Sequence, residues 1–359
     1  MKIVEIIPQL HMGGAEMFTV NLCNELVEKG HDVTLVVTNS LMKYGHFSKF
    51  VDARINLISM NKRDGADFKL FFRLPKLIKR LNPNVVHTHL GAILYNIISP
   101  FLFRNIKFFH TIHNEAKKEA ETGGKISALA RKVLFRLGLT IPVTISKESQ
   151  NSFIKYYGNN VSSELILNGV PVVGIDKDNA KDDMSKGKIK LVNVARIQPQ
   201  KNQIELVKAI DDLNKRNFEV HLYIVGADDT PEASQIRELK SSNTTLLGRK
   251  LNPRDYIAYA DAFILSSKYE GLPLTLIECF ATGKIPICTP VGGIPDLVKD
   301  GVNGLLAKGT MADDLYCVIQ KFIALPIEKK QQMEIESYKS FESLTMNKCA
   351  LNYIELFER

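Results

Sequence analysis

The chain alternates short apolar runs with longer segments in which apolar residues recur every three or four positions. A run such as Lys2–Ile7 is typical of a buried strand, and residues 204–213 have the spacing of an amphipathic helix. Because strands and helices alternate along most of the chain, the pattern predicts α/β architecture with parallel sheets. Further strands are predicted at residues 32–38, 84–89, 107–112, 189–194, 220–225, 244–248, 262–265 and 285–288.

Length and composition favour two globular domains. The chain has 359 residues and a hydrophobic content of 45%, which is enough for two buried cores. No run approaches the ~20 apolar residues that span a bilayer, and the N-terminal run is interpreted as a strand, not a signal peptide. Five cysteines show no metal-type spacing, so we expect free thiols in a reducing cytoplasm. The polar residues 174–188 are typical of a linker or variable loop.

The positive charge is concentrated in the first half of the chain. Residues 1–170 contain 22 Lys and Arg against 13 Asp and Glu, a net charge of +9, and the remaining residues carry −1. This half suits an acidic partner, such as anionic lipid, a phosphorylated substrate or nucleic acid. No platform of aromatic and basic residues for stacking bases is present, so nucleic acid is the weakest of these partners.

The stretch 266–295 follows the predicted strand 262–265 and combines a loop, a helix, a second strand and a glycine-rich turn. Loops at the carboxyl ends of parallel strands form the ligand crevice of such folds, and a helix N-terminus there favours phosphate. Glu270 lies in the loop, and Glu278 follows eight positions later in the predicted helix. A carboxylate can accept hydrogen bonds from both hydroxyls of a sugar or ribose diol. Taken alone, the pair also fits a loop glutamate and a solvated helical glutamate.

The residues around this pair carry a family resemblance. The strings Glu-Gly-Leu-Pro at 270–273, Glu-Cys-Phe-Ala-x-Gly-x-x-Pro at 278–286 and Gly-Gly-Ile-Pro-Asp at 292–296 resemble the donor site of the family-4 retaining glycosyltransferases. In that family the two carboxylates form an E-x7-E pair. One departure is Asp296, where many members carry glutamate.

Three other motifs match the same family. Arg196 and Lys201 lie on a strand-to-helix loop and match its diphosphate-binding R-x4-K, although two loop cations are also common in proteins without a ligand. Gly13 and Gly14 follow the first strand and resemble its glycine loop, which is not the G-x-G-x-x-G of a dinucleotide fold. His113 occupies the position of a family histidine near the transferred sugar.

Two more histidines, His87 and His89, end a predicted strand, and His110 precedes His113. A metal site built from these side chains is conceivable. No carboxylate or cysteine spacing supports it, so we expect no metal and interpret His87 and His89 as architectural or acceptor-side residues.

The resemblance implies the GT-B fold, in which two Rossmann-like, doubly wound parallel-sheet domains face a central cleft. It implies an acceptor-side domain at 1–171 with a tail at about 340–359 packed on it, and a nucleotide-sugar domain at 172–339. The implied catalytic residues are Arg196, Lys201, Glu270 and His113. The implied donor-binding residues are Gly13, Gly14, Gly248, Gly271, Leu272, Pro273, Leu274, Thr275 and Glu278.

The implied activity is retaining hexosyl transfer from a nucleotide sugar, with UDP-sugar favoured, to a saccharide or lipid-linked saccharide in polysaccharide or glycolipid synthesis. The resemblance implies no cofactor and no metal. Two alternatives remain at this point. One is a related GT-B enzyme, either an epimerase that needs no acceptor or a phosphorylase that needs free phosphate. The other is a non-catalytic sugar- or nucleotide-binding module, which the intact charged motifs disfavour.

Three segments of the first half, 68–81, 101–109 and 126–139, mix basic and hydrophobic residues. In 68–81 the basic residues recur roughly every three or four positions: Lys69, Arg73, Lys76, Lys79 and Arg80. This composition fits an interfacial surface on an anionic membrane. It fits equally a helix packed on the domain with a solvated lysine face. We therefore expect a cytoplasmic protein that binds the inner face of the membrane reversibly, if it binds membranes at all.

Overall fold

The computed structural model describes residues 1–11, 13–63, 65–122, 124–239 and 241–359. The chain divides into two compact units, each with its own parallel sheet. The first consists of Met1–Pro171 together with Leu344–Arg359, and the second of Val172–Ser343. No helix of the described residues is long and apolar enough to cross a membrane.

The first unit contains a seven-stranded sheet in which every neighbouring pair is parallel. Its strands are β1 (Lys2–Ile7), β2 (Asp32–Asn39), β3 (Asn56–Lys62), β4 (Val85–His89), β5 (Lys107–Ile112), β6 (Ile141–Thr144) and β7 (Glu164–Leu165). Their spatial order is β3-β2-β1-β4-β5-β6-β7. The strands at 2–7, 32–38, 84–89 and 107–112 are therefore confirmed, because each is a buried apolar run bounded by polar residues.

Helices fill the crossovers of this sheet and cover its faces. They are α1 (Gly14–Glu28), α2 (Leu41–Tyr44), α3 (Leu70–Leu81), α4 (Ala92–Tyr95), α5 (Ser99–Leu102), α6 (Ala116–Thr122), α7 (Gly124–Arg136) and α8 (Lys147–Tyr157). Leu70, Leu74 and Ile78 of α3 pack on Val4 and Val86 of the sheet. The spacing of these three leucine and isoleucine side chains places them on one face of the helix, which is why α3 docks with its basic residues outward.

The second unit has six strands, and every paired neighbour is again parallel. The strands are β8 (Ile189–Val194), β9 (Val220–Val225), β10 (Thr244–Gly248), β11 (Ala262–Leu265), β12 (Pro286–Cys288) and β13 (Leu305–Leu306). Their order is β10-β9-β8-β11-β12-β13. The helices are α9 (Gln203–Asn214), α10 (Pro231–Glu238), α11 (Pro253–Tyr259), α12 (Leu274–Thr282), α13 (Ile294–Leu297), α14 (Ala312–Ala324) and α15 (Ile327–Phe341). The core of this unit lies between the sheet and helices α9 and α14.

Residues 174–188 are not an open linker. Ala180 and Met184 are fully buried, and Asp255 on α11 accepts hydrogen bonds from the backbone of Asp176 and the side chain of Asn179, at 3.0 and 2.9 Å. The segment therefore belongs to the packed surface of the second unit. Its polar composition reflects contacts with α11, which the sequence pattern did not predict.

The chain ends in α16 (Met346–Glu358), which packs on the first unit. Thr345 caps this helix by accepting a hydrogen bond from the backbone of Lys348 at 3.3 Å. At the other end, Lys107 donates to the carbonyls of Phe357 and Glu358, at 3.0 and 2.9 Å. A helix leaves its last carbonyls without internal partners, so this lysine satisfies groups that the helix itself cannot.

Beneath α16 lies a group of buried polar side chains, which we call the buried histidine cluster. Its members are Glu5, His87, His89, His110, His113 and Glu119. Glu5 is fully buried on β1, and the imidazoles of His87 and His89 on β4 both contact its carboxylate, at 3.0 and 2.8 Å. A charged residue in the middle of a central strand is costly unless its hydrogen bonds are made, and here two neighbouring side chains make them.

Burial determines the protonation of this cluster. Burial alone would raise the pKa of Glu5, but His87 and His89 outweigh it and lower that pKa to about 2. Burial lowers the pKa of both His89 and His110 to about 4. The carboxylates are therefore ionised and these histidines neutral at neutral pH.

These shifts predict that the first unit loses stability in mild acid. Below pH 6.5 the unfolded chain binds protons that folded His89 and His110 do not bind until about pH 4, so stability falls as the pH drops through this window. Between pH 7 and pH 5 we expect the free energy of unfolding to fall by roughly 2 kcal/mol for each of these histidines. Urea unfolding followed by circular dichroism at both pH values measures the change.

The matched variants are His110→Asn, which removes a titrating member of the cluster, and His46→Asn, which replaces an exposed histidine. His110→Asn should reduce the difference in unfolding free energy between pH 7 and pH 5, and His46→Asn should leave it unchanged. An equal pH difference in the wild type and His110→Asn would contradict the assignment to this cluster.

Candidate active site

The second unit places two predicted loops side by side where its strand order reverses. From β8 the chain passes to β9 on one side, and later returns to β11 on the other side. The loop after β8 carries Arg196 and Lys201, and the loop after β11 carries Glu270. In open parallel sheets this reversal is where ligands bind, because the crossovers diverge and leave a crevice at the carboxyl ends of the strands.

Lys201 and Glu270 form the contact that joins these loops. Lys201 Nζ lies 2.5 Å from Glu270 Oε1, and the hydroxyl of Ser267 donates to the same oxygen at 2.6 Å. The side chains of Lys201 and Glu270 are 17% and 6% exposed. The carboxylate therefore has a fixed orientation, while the lysine side chain remains partly exposed. Arg196 on the same loop is exposed.

Glycines hold the neighbouring turn against the Glu270 loop. A Cβ atom at Gly292 would lie 2.0 Å from the carbonyl oxygen of Glu270, and its φ of +56° is left-handed. The backbone N–H of Gly293 donates to the carbonyl of Gly271 at 2.7 Å. The Gly-Gly pair thus has a structural reason that is independent of any ligand: it lets two strand-end loops touch.

Helix α12 presents a half-buried face that contains three of the predicted donor residues. Leu274, Thr275 and Glu278 are partly exposed, whereas the side chains on the opposite face are buried. Arg254 on α11 lies 3.6 Å from Glu278, measured from Nε to Oε1. Burial raises the pKa of Glu278, and the charge of Arg254 acts against that rise. Arg254 was not predicted as a site residue, because nothing in its local sequence pattern distinguishes it from a surface cation.

The other predicted donor residues have different environments. Leu272 is 4% exposed, and Gly271 and Pro273 are buried beside it, so only backbone atoms of this turn could reach a ligand. Gly248 ends β10 with a φ of +66°, and its carbonyl accepts a hydrogen bond from Gly226 at 2.9 Å. It therefore lies two strands away from the Lys201 loop.

In the first unit the strand order reverses between β1 and β4. Gly13 and Gly14 follow β1 at this point, and Gly13 precedes α1. A Cβ atom at Gly13 would lie 2.3 Å from the carboxylate of Glu16, which is the flexible end of a side chain and could move aside. At Gly14 a Cβ atom would meet none of the described residues within 4 Å. Packing therefore gives no reason for glycine at this second position.

His113 directly follows β5, the strand beside β4, and is held by three neighbours. Its Nε2 is 2.9 Å from Nδ1 of His89, and its backbone N–H donates to Glu119 at 2.7 Å. The ring of Phe18 packs edge-on against it, with the ring centroids 5.6 Å apart. Glu119 is itself anchored by Arg131, with 3.3 Å between the charged atoms. His113 is 8% exposed, so most of its surface is already in contact with protein.

In the fold a carboxylate accompanies the histidines, which sequence spacing did not indicate. Glu5, His87 and His89 offer ligand-type atoms that all lie within 4.8 Å of one another. The sequence feature that could have indicated this contact is Glu5, the single charged residue inside the first apolar strand.

The structure also corrects the prediction for Arg131. This residue lies in the segment 126–139, which was assigned to a surface, yet it is 2% exposed.

Asp176 and Asp178 form a turn, in which the Asp176 carboxylate accepts a hydrogen bond from the Asp178 N–H at 3.2 Å.

Two family models together match nearly the whole chain. Residues 12–173 match the model described as Glycosyltransferase Family 4, and residues 174–340 match the model described as Glycosyl transferases group 1. The junction between the two matches falls where the first sheet unit gives way to the second.

Named relatives of similar length agree with these matches. The chain is 26% identical over 290 residues to the capsular polysaccharide biosynthesis glycosyltransferase CapH of Staphylococcus aureus, covering 77% of this chain and 78% of the relative. It is 27% identical over 315 residues to an α-1,4-N-acetyl-D-galactosaminyltransferase of Campylobacter jejuni whose named substrate is a diphospho-undecaprenol glycan, covering 85% and 84%.

The fold is that of a solved structure, the Anabaena protein Alr3699/HepE in complex with UDP and glucose. The TM-score is 0.83 at 18% identity, with 100% of this chain and 99% of that chain covered. The two parallel-sheet units thus have the GT-B fold that the motifs implied. With both family models matched and glycosyltransferases as relatives, the chain belongs to the group 1 glycosyltransferases of family 4, and it is a sugar-transferring enzyme.

Proposed function

We propose that this enzyme is a retaining glycosyltransferase that transfers a hexose-type sugar from a UDP-sugar to a saccharide or lipid-linked saccharide. The observation that carries the proposal is the contact between Lys201 and Glu270 at the strand-order reversal of the second unit. It brings together a cation for a diphosphate and a carboxylate for sugar hydroxyls, the two groups that a sugar diphosphate requires.

The charged groups have distinct proposed roles in the reaction. The bond between the anomeric carbon and the phosphate oxygen breaks, and its electron pair leaves with the nucleoside diphosphate. Arg196 and Lys201 stabilise this developing charge, and Glu270 orients the sugar. The acceptor hydroxyl forms the new bond on the face that the diphosphate leaves, and its proton passes to the leaving diphosphate. His113 of the first unit contacts the transferred sugar or the acceptor.

The remaining donor residues bind the nucleotide in this proposal. Glu278 accepts both ribose hydroxyls on the accessible face of α12, next to Leu274 and Thr275. Backbone atoms at Gly248 contact the base, and those of Gly271, Leu272 and Pro273 line the phosphate side. Gly13 and Gly14 approach the diphosphate and the acceptor. The UDP complexes of the Anabaena protein support uracil as the base.

The acceptor is proposed from the names of the relatives and from charge. The Campylobacter relative acts on a diphospho-undecaprenol glycan, and CapH belongs to capsular polysaccharide synthesis. A lipid diphosphate also suits the half of the chain that carries a net charge of +9. Thermal shift against a panel of nucleoside diphosphates and nucleotide sugars identifies the donor, because a ligand that binds the folded state raises its apparent stability. The anomeric configuration of the product, by NMR, tests retention.

The first prediction from this site concerns the ribose. Glu278→Gln removes one of the two oxygen acceptors and the negative charge, so it should weaken UDP binding by roughly 1–3 kcal/mol with little change in melting temperature. Isothermal calorimetry measures the affinity. The matched control is Glu328→Gln, an exposed glutamate at the start of α15 that should leave UDP affinity unchanged. Equal affinity in wild type and Glu278→Gln would remove this residue from the site.

The second prediction separates phosphate chemistry from packing. Arg196→Ala and Lys201→Ala should each lower kcat/KM. The expected fall corresponds to a loss of about 2–4 kcal/mol of transition-state stabilisation. Only Lys201→Ala should also lower the melting temperature, because it leaves the Glu270 carboxylate, 6% exposed, without its cation. Activity should persist in EDTA. A strict requirement for a divalent ion would show that a metal, and not these two cations, neutralises the leaving group.

We further propose that the first unit binds an anionic membrane surface. Phe68 and Phe72 are 76% and 67% exposed near the start of α3, among its basic residues. On α7, Ile126 and Leu129 are 75% and 62% exposed. Exposed apolar side chains bordered by lysines fit the interface of an anionic bilayer, at about 1 kcal/mol per basic residue near the surface. Arg131 does not belong to this surface.

The membrane proposal predicts salt-sensitive binding to vesicles. The wild type should sediment with phosphatidylglycerol vesicles at low salt and be released as salt screens the charges. Reversing Lys69, Lys76, Lys79 and Arg80 to Glu should abolish sedimentation. Arg73 is left intact, because it donates to the carbonyl of Met60 at 2.9 Å. The control reverses four exposed lysines of the second unit, Lys177, Lys181, Lys299 and Lys329. Equal sedimentation of the two variants, or none by the wild type, would refute the proposal.

A further inference from the structure

The buried histidine cluster contains a continuous chain of hydrogen bonds that the proposed reaction does not use. It connects His113 to the C-terminal helix, and its successive contacts are between 2.7 and 3.0 Å. Its members, in order, are His113, His89, Glu5, His87, Thr111 and Tyr353. All but His113 lie completely inside the first unit.

The carboxylate of Glu5 sets the direction of the hydrogen bonds on either side. An ionised carboxylate can only accept, so each imidazole that contacts it must donate a proton. His89 therefore carries its proton on Nε2, the atom 2.8 Å from Glu5. His87 likewise carries a proton on Nδ1, the atom 3.0 Å from the same carboxylate oxygen.

The proton on His89 Nε2 determines the state of His113. A neutral imidazole has one N–H, so Nδ1 of His89 must be an acceptor. The atom that faces it at 2.9 Å is Nε2 of His113, which must then be the donor. The other nitrogen of His113, Nδ1, is left without a proton. Burial supports the neutral state of both rings, because it lowers the pKa of His89 to about 4 and holds the pKa of His113 well below its ordinary value.

The charged groups on the neighbouring elements do not reverse this assignment. Glu119 on α6 favours a charged His113, whereas its partner Arg131 on α7 satisfies part of that carboxylate. Glu119 accepts from the backbone of His113, not from its ring. Among the described residues, the hydrogen-bond partner of the His113 ring is therefore His89.

We propose that Glu5 and His89 are positioning residues that fix His113 in the tautomer protonated on Nε2, so that Nδ1 serves only as a hydrogen-bond acceptor. In the reaction proposed above, on which this last part rests, that nitrogen accepts a hydrogen bond from a substrate hydroxyl. It cannot donate to a developing negative charge. His113 is thereby assigned to orienting a hydroxyl group and not to stabilising the leaving diphosphate.

The same side chains also suit a metal ion in composition, but their spacing favours hydrogen bonds. A tetrahedral zinc ion with bonds of ~2.0–2.1 Å separates its ligand atoms by more than 3 Å. Here His89 Nε2 and Glu5 Oε2 are 2.8 Å apart. A metal ion would have to push this pair apart inside a region where the ligands are fully buried.

The tautomer can be measured directly in the full-length protein. With ¹⁵N-labelled histidine, two-bond ¹H–¹⁵N spectra distinguish protonated from unprotonated ring nitrogens, and the chain has only 8 histidines. The His113 signals are assigned from their loss in His113→Gln. The expected result is a neutral ring with the proton on Nε2. A proton on Nδ1, a charged ring at neutral pH or a zinc-bound ring would each overturn the proposal.

A pair of variants tests the role of Glu5. Glu5→Gln puts an amide in place of the carboxylate, so His89 is no longer forced to donate from Nε2 and the His113 tautomer should change or become mixed. His87→Asn keeps a donor toward Glu5 from the opposite side, and should leave the His113 tautomer unchanged. If Glu5→Gln fails to fold, the wild-type spectrum still decides the assignment. An unaltered tautomer in folded Glu5→Gln would show that Glu5 does not set it.

Activity provides a second, separable readout. Glu5→Gln should lower kcat/KM for sugar transfer by about tenfold in the wild-type background, the equivalent of one hydrogen bond. In the His113→Gln background it should have little further effect, because Glu5 acts through His113. Equal losses in both backgrounds would indicate a merely structural role. If no nucleotide sugar is turned over at all, the proposed function fails, and the tautomer assignment stands or falls on the spectra alone.

Discussion

The parallel pairing of all strands is the constraint on which the rest of this structure depends. A parallel pair cannot be closed by a tight turn, so each connection must cross one face of the sheet as a helix or long loop. In both units the chain builds outward from the first strand and later returns to that strand's other side. The two loops that diverge at this reversal leave a crevice at the carboxyl ends of the strands. The glycine loop lies at one reversal, and the Lys201 and Glu270 loops lie at the other.

Each of the two units contains a buried carboxylate, and different kinds of side chain supply its hydrogen bonds. In the first unit Glu5 is fully buried, and two histidine side chains supply its hydrogen bonds. In the second unit Glu270 is paired with Lys201, whose side chain is partly exposed. The first arrangement fixes the geometry of the histidine side chains around the carboxylate. The second keeps a positive charge available to an anionic ligand while the carboxylate stays oriented.

Much of the fold follows from the sequence, because strands buried on both faces appear as continuous apolar runs of the right length. The predicted strands 2–7, 189–194, 220–225 and 262–265 match the observed bounds. The sequence also predicted Glu270 in a loop and Glu278 in the helix that follows, and both predictions agree with the structure. The local sequence pattern did not predict the role of Arg254 on α11, which pairs with Glu278 on α12. Such a contact depends on how the helices pack, which periodicity does not encode.

Arg131 shows the same limit and also connects two parts of the first unit. Its helix, α7, exposes Ile126 and Leu129 on one face, as its composition suggested. On the other face Arg131 donates to the backbone carbonyl of Glu119 at 2.6 Å and pairs with its carboxylate. That carboxylate in turn accepts the backbone N–H of His113. A single helix thus carries the exposed apolar surface on one side and, through Glu119, the anchor of His113 on the other. The charged and the apolar side chains of this segment therefore have two different roles, and the burial of each side chain is what distinguishes these roles.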